Sequence, residues 1–271
     1  MIKRAFVIII AIVLVFALVK LRTRDIEERE APDRIKTSSE KEKNPVAALV
    51  LDDFGYTRRN LGTLIGLDTP VTIAVLPNVP YSKTVSSFAD KNGVQVILHL
   101  PMEPEGGSVR LERETIMTGM DKEMVENIIA QAFESVPAAK GVSNHQGSRA
   151  TKNEKIMEIV MDQVDKRGLF FLDSMTTDGS VCGKAAGEKG VLFAKRDIFI
   201  DEKNDEDYII GQMKKVEELA RRKGYVIAIG HERPKTLKVL REVMPEMKER
   251  GIKFVTLSEI IELEEDDNTR D

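Results

Sequence analysis

The sequence predicts an α/β fold, either an open doubly wound sheet or a (β/α) barrel, and three observations carry that reading. From residue 46 onward short apolar runs alternate with amphipathic helical patterns, the rhythm of strands joined by crossover helices. Most of the runs are continuously apolar, as strands are when a parallel sheet is covered on both faces. At 271 residues, 42% of them hydrophobic, the chain can bury a substantial core. No repeat period is present.

The chain opens with an unbroken apolar run at 5–19, preceded by Lys3 and Arg4 and followed by Lys20, Arg22 and Arg24. At 1.5 Å per residue it rises about 22 Å, short of the roughly 30 Å hydrocarbon core, and snorkelling basic side chains extend the span. No small-x-small cleavage site follows Val19, so residues 1–24 are expected to form an uncleaved signal anchor, a single transmembrane pass. Basic residues flank it on both sides, so the positive-inside rule barely discriminates its orientation. Residues 25–45 are charged and polar and are expected to be a flexible linker. The folded domain is expected over 46–262 and a solvated acidic tail over 263–271.

Within the domain, strands are expected at 46–51, 71–76, 94–98, 141–143, 169–172, 191–193, 225–229 and 253–255. Thr151-Lys152-Asn153-Glu154 reads as a capping box opening a helix with Ile156, Ile159, Val160 and Val164 on one face and Gly168 at its end. Ile209, Met213, Val216 and Ala220 form a similar stripe closed by Gly224. Leu237, Leu240, Val243 or Met244, and Met247 form another, in which Pro245 is expected to kink or break the helix.

Several functions are set aside by composition. A net charge of -4 with 32% charged residues lacks the basic excess that nucleic acid demands. The first strand ends in Asp52-Asp53-Phe54-Gly55 where a dinucleotide site needs a GxGxxG turn, and no Walker motif occurs, so no nucleotide cofactor is expected. The single cysteine, Cys182, excludes an intramolecular disulfide framework and a Cys-rich zinc site. Any tight metal site must rest on histidine and carboxylate.

The chain has three histidines, and all fall at strand ends. His99 closes the third strand, His145 follows the fourth and His231 closes a late one, while Asp52 and Asp53 end the first. Active sites of β/α folds assemble at the carboxyl ends of strands. Neighbours on a strand point to opposite faces, but a turn beginning at the aspartate pair can bring both toward one mouth. An Asp with two His suits zinc or another divalent first-row ion with positions open to water and substrate.

At this point the motifs LDDFG (51–55), HLPMEP (99–104), NHQGS (144–148), FLDS (171–174) and IGHERP (229–234) resemble, in order, those of the divergent polysaccharide deacetylases, a branch of the NodB-type carbohydrate esterases. The resemblance implies a distorted (β/α) barrel of about seven strands and metal-assisted hydrolysis of an N-acetyl group on an amino sugar, with a cell-envelope polysaccharide or peptidoglycan as partner. Together with the expected anchor at 1–24, that activity is expected at the cell membrane, with the domain outside the cytoplasm. The resemblance makes Asp53 and His99 metal ligands, Asp52 the general base that deprotonates the attacking water, His231 the general acid, and Arg149 the group that orients the base, with Asp173 fixing the tautomer of His231 or raising its basicity by hydrogen bonding. Asn144, Ser148 and Ser174 stand as substrate contacts. The chain departs from the ordinary H-S/T-x-x-H metal motif, since Glu103 stands where the second histidine would be. The third ligand is therefore Glu103 or His145, and membership of the strand-end ring favours His145. The Arg-x-Pro-Tyr motif is also missing, which leaves a catalytically inactive glycan- or partner-binding protein as the alternative. Glu232 and Arg233 read as a solvated pair.

Overall fold

The computed structural model describes residues 45–107 and 110–268. The expected anchor at 1–24 and all of the linker but Pro45 lie outside the described residues. Among the described residues no helix is long and apolar enough to cross a membrane.

In chain order the elements are β1 (Val46–Phe54), α1 (Leu61–Ile65), β2 (Thr72–Val75), α2 (Ser82–Lys91), β3 (Gln95–Met102), α3 (Lys122–Ser135), β4 (Gly141–Gln146), a short 3-10 turn (Ala150–Lys152), α4 (Glu154–Asp165) and β5 (Phe170–Asp173). There follow α5 (Cys182–Lys189), β6 (Phe193–Lys195), β7 (Ile198–Phe199), α6 (Glu206–Lys223), β8 (Tyr225–His231), α7 (Pro234–Glu249), β9 (Lys253–Val255) and α8 (Leu257–Asn268).

The named strand pairs are parallel, and the sheet order is β6-β5-β4-β3-β2-β1-β8-β7, with β9 on β1. The two ends of that ladder are consecutive in the chain. Arg196 donates its backbone N–H to Asp173 of β5, and Asp197 donates its own to Ile227 of β8. One interrupted segment thus serves both edges and curls the sheet. β1 pairs with β8 along one side, and along the other with β9 through Ala48 and with β2 from Val50. This is the expected α/β class with a parallel sheet.

Two apolar layers explain the continuous apolar strands. Ala48, Val50, Ala74, Ile97, Leu172, Ile227 and Ile229 form one cluster, which Leu257, Ile260 and Ile261 of α8 join. The residues between them, such as Leu49, Leu51, Ile73, Leu98, Phe171 and Ala228, belong to a second cluster shared with the helices. Burying each of the larger side chains contributes about 1.5–3 kcal/mol.

Four expectations are corrected. The N-cap of α4 is Asn153, whose side chain accepts from Ile156 N, and Thr151 instead donates its hydroxyl to Gly147 O. α7 runs unbroken through Pro245, which is exposed, so the carbonyl left without its proline N–H partner can turn to water. β7 was not expected, because Lys195-Arg196-Asp197 interrupts its apolar pattern. Residues 263–268 continue α8 instead of starting a tail, because Leu257, Ile260 and Ile261 anchor that helix.

Candidate metal centre and its surroundings

Strand alternation aims the site. Ala48, Val50 and Asp52 share one face of β1, as do Ile97 and His99 on β3 and Ile227, Ile229 and His231 on β8. On β4 that face carries Ser143 and His145, because Val142 belongs to the opposite, helix-covered layer. Asp52 lies opposite His231 in the register, and His99 opposite Ser143. Asp53 falls on the wrong parity, and the backbone corrects it. The β1–β2 register shifts between Leu51 and Phe54, and Asp53 takes a left-handed φ of 66°. Such a bulge re-aims a side chain at a local conformational cost that tertiary contacts must offset. Asn78, Gln146 and Met175, at or just beyond the ends of β2, β4 and β5, are left-handed too.

Asp53, His99 and His145 converge, with one ligand atom from each lying within 4.8 Å of the others. Asp53 Oδ1 is 3.1 Å from His145 Nδ1 and 3.5 Å from His99 Nε2, and His99 Nε2 is also 3.5 Å from Asp52 Oδ2. His99 Nδ1 meets Ser143 Oγ at 2.8 Å, which leaves Nε2 for the cluster. Burial pushes the His99 pKa down to about 4, so the ring stays neutral, the form that binds metal.

The carboxylates are crowded. Burial and then the charges of Asp53 and Asp201 push the Asp52 carboxyl well above its ordinary value, against the pull of Arg196. Burial would also raise Asp53, but its bonds to His145 and His99 prevail and hold it far below the usual range. Asp52 Oδ1 and His145 Nε2 are buried with no hydrogen-bond partner. An Asp-His-His donor set with an excess of buried negative charge and unpaired acceptors fits a divalent cation.

His231 stands beside this cluster, its Nε2 3.9 Å from Asp53 Oδ2. Its Nδ1 lies 2.8 Å from Asp201 Oδ1, and Asp201 Oδ2 accepts from the His231 backbone N–H at 2.9 Å and from Thr236 Oγ1 at 2.7 Å. Asp201, not Asp173, therefore sets the His231 tautomer. Asp173 has the opposite parity to Leu172 and accepts instead from Met175 N and Ser180 Oγ, bracing the turn after β5.

Arg149 is likewise corrected. Its guanidinium pairs with Glu103 at 3.0 Å, and no contact joins it to Asp52. The cation acting on Asp52 is Arg196, held by the carbonyls of Ser174 and Met175 and packed over Phe199. Glu103 lies outside the cluster. It accepts from Thr118 N at 2.6 Å, Thr118 Oγ1 at 2.7 Å and Arg149, bonds that overcome its partial burial and lower its pKa.

The expected substrate contacts fare differently. Asn144 is fully buried and its amide links β4 to the turn after β5, bonding Gln146 O and Ser174 N; a substrate cannot reach it. Ser148 Oγ accepts from Glu105 N. Ser174 Oγ is buried without a partner. Glu232 and Arg233 do not pair: Glu232 accepts from Asn60, and burial raises its pKa to about 7, while Arg233 donates to Asp201 O. Asp201, Arg196 and Ser143 were missed by sequence reasoning. The only signal for Asp201 was its place just after the short IFI run at 198–200.

A curled parallel α/β sheet with an Asp-His-His cluster at its strand ends defines a barrel-type protein with a candidate divalent-metal site. The profile of the divergent polysaccharide deacetylases matches residues 49–261, and the chain belongs to that family. The uncharacterized protein YibQ of Escherichia coli strain K12 is 37% identical over 197 residues, 73% of this chain and 61% of its own length. An uncharacterized protein of Haemophilus influenzae is 35% identical over 194 residues, 72% of this chain and 69% of its own. The chain thus spans less than two thirds of the E. coli relative. Among solved structures, the uncharacterized protein ATU2773 of Agrobacterium tumefaciens superposes with a TM-score of 0.74 at 22% identity, covering 80% of this chain and 89% of that one. The catalytic domain of a peptidoglycan N-acetylglucosamine deacetylase from Eubacterium rectale gives 0.52 at 14% identity, covering 79% and 89%. BA3943 of Bacillus anthracis, a CE4 family pseudoenzyme, gives 0.50 at 13%, covering 81% and 66%. These likenesses show the fold.

Proposed function

We propose that this protein is a metal-dependent carbohydrate N-deacetylase acting on an acetylated amino-sugar polymer of the cell envelope, with zinc as its ion. The observation that carries the reading is the convergence of Asp53, His99 and His145 beside two proton-handling groups, the buried Asp52 and the Asp201-anchored His231. Asp53, His99 and His145 would hold the divalent ion, which when bound would acidify a water and polarise the amide carbonyl. The rest is the work of the chain. Asp52, whose Oδ1 is unpartnered, accepts the proton of the attacking water. His231 presents Nε2 to the departing amine and delivers a proton there, while Asp201 keeps Nδ1 protonated and the ring in place. Arg196 balances the charge on Asp52. The peptidoglycan deacetylase of the same fold supports an envelope glycan as substrate, and residues 1–24 would tether the domain at the outer face of the membrane.

The test is metal analysis of the purified full chain together with acetate release from acetylated amino-sugar polymers. Asp53→Ala is expected to lose the metal, whereas Asp52→Asn is expected to keep it and lose turnover. The pseudoenzyme of like fold and the Glu103 departure favour one second reading, a glycan-binding protein using the same mouth. Metal and glycan bound with no acetate released is the outcome that selects it.

A further inference from the structure

We infer that a cavity at the amino ends of β1 and β9, carrying Lys248 and Lys253, binds the headgroup of an anionic phospholipid and so seats the domain on the bilayer. The inference rests on the membrane tether proposed above and adds to it which face of the domain meets the lipid.

The cavity has a volume of about 420 Å³, and its lining includes Thr69, Pro70, Lys248, Ile252, Lys253 and Phe254 but no carboxylate residue. A space of that size suits a small ligand. It lies at the opposite end of the sheet from the metal cluster. Lys253 is in register with Val46, the first residue of β1, and donates its backbone N–H to Pro45 O. The expected anchor and nearly all of the linker precede Pro45, so the chain enters the domain at the rim of the cavity. Asp53 lies seven residues beyond Val46 on β1, roughly 23 Å away at about 3.3 Å per residue. A domain seated on this cavity therefore holds its metal-binding mouth off the membrane and facing away from it.

The cavity has the chemistry of an anion site with an apolar wall. Lys248 Nζ meets neutral acceptors, Asp68 O at 3.3 Å and Thr69 Oγ1 at 3.5 Å, and both lysines are exposed. Among the described residues neither lysine has a carboxylate partner, whereas at the same end of the sheet Arg250 pairs with Glu217 at 2.8 Å and Lys223 with Asp197 at 3.1 Å. A lysine in the last turn of a helix complements the helix dipole. That accounts for Lys248 on α7 but not for Lys253 at the start of a strand. Two uncompensated cations lining one space attract an anion. Pro70, Ile252 and Phe254 make the rest of the wall largely apolar. A phosphate carried on a glycerol and its acyl chains covers both parts, and a free phosphate would leave the apolar part bare. Exposed lysines at an anionic lipid surface each add a few-fold to binding, which suffices for a domain already tethered beside it.

The full chain is added from detergent to preformed vesicles of phosphatidylcholine, or of equal parts phosphatidylcholine and phosphatidylglycerol. It is then acylated with an amine-reactive ester, and the modified lysines are read by mass spectrometry. Only the neutral amine reacts, so an ammonium held against a phosphate is protected. Lys248 and Lys253 are expected to react at least about fivefold more slowly on the anionic vesicles. Lys235, exposed at the other end of α7, is expected to react equally on both. Lys253→Gln is expected to remove most of the protection at Lys248, and Lys248→Gln most of that at Lys253. Urea midpoints are expected to stay unchanged, because both side chains are exposed. Equal rates on the two vesicles, protection of Lys235 to the same degree, or protection undiminished in both variants overturns the inference. Inorganic phosphate added with the neutral vesicles separates the sources: protection as strong as that from phosphatidylglycerol assigns the cavity to a free anion and also overturns it. Failure of the tether is distinct, because the chain then does not float with phosphatidylcholine vesicles while phosphatidylglycerol still protects both lysines.

Discussion

His231 joins two carboxylates of different kind, its Nδ1 2.8 Å from the fully buried Asp201 and its Nε2 3.9 Å from Asp53. Asp201 is over-determined as an anion, since it accepts from the His231 ring and backbone and from Thr236. Burial would raise its pKa, but those bonds hold it low. The proton on Nδ1 is thereby fixed and Nε2 is the exchanging nitrogen.

Replacing Asp201 with Asn removes that charge and frees the tautomer. Acetate release is expected to fall by about 10²–10⁴-fold, the usual worth of a positioned proton donor, with metal content unchanged. His231→Ala is expected to cost a similar factor, and the double variant little more than either alone. Wild-type turnover in Asp201→Asn would remove His231 from the mechanism.

Glu103 and His145 make opposite predictions for metal. The Glu103 carboxylate is committed to Thr118 and Arg149, whereas His145 Nδ1 lies 3.1 Å from Asp53. Glu103→Gln is expected to leave zinc occupancy intact and to destabilise the fold by about 1–3 kcal/mol through weakened charge-assisted bonds. His145→Ala is expected to lower occupancy sharply at equal total zinc. Elemental analysis after dialysis distinguishes the two, and loss of metal in Glu103→Gln alone would reverse the ligand assignment.

The sequence made the strand-end histidines legible because each closes an apolar run whose parity carries it to one face: Ile97 leads to His99, and Ile229 to His231. Asp53 was legible as chemistry but not as geometry, since alternation places it opposite Asp52 and only the left-handed backbone turns it back. Asp201 and Arg196 were hidden for a different reason. They lie in and beside a segment that shifts its pairing from β5 to β8 midway, and its charged middle resembles a surface loop. Arg149 and Asp173 illustrate the limit of carrying roles along a motif: each has a suitable side chain and neighbourhood, but local hydrogen bonds hold both elsewhere.

Stability of the metal-stripped chain is expected to depend on pH through His99. Burial holds its pKa near 4 against an ordinary 6.5. Between those values the unfolded chain takes up a proton that the folded chain refuses. Stability present above pH 6.5 is therefore lost as pH falls toward 4, by about 3 kcal/mol for this group. Asp52 acts with the opposite sign, because its raised pKa favours the folded state at low pH. Urea denaturation of the wild type and His99→Gln at pH 7 and pH 4.5 isolates the histidine. The wild type is expected to lose more stability over the interval, and equal losses would contradict a buried neutral His99.

Packing behind the His231–Asp201 pair gives a prediction independent of metal. A Cβ on Gly230 would fall 2.8 Å from Ile200 Cγ1, 2.9 Å from Ile200 Cδ1 and 3.3 Å from Thr236 Cγ2. Ile200 and Thr236 are both fully buried, so neither can yield without moving the segment that carries Asp201. Gly230→Ala is expected to destabilise the full chain by about 1–3 kcal/mol through overpacking. It is also expected to lower acetate release by disturbing the His231–Asp201 contact while zinc content holds. Gly211→Ala in α6 is the control, because nothing lies within 4 Å of its added methyl, and a helical alanine is expected to stabilise by about 0.5–1 kcal/mol. Urea midpoints that move in opposite directions bear out the steric account, and a Gly230→Ala midpoint at or above the wild-type value contradicts it.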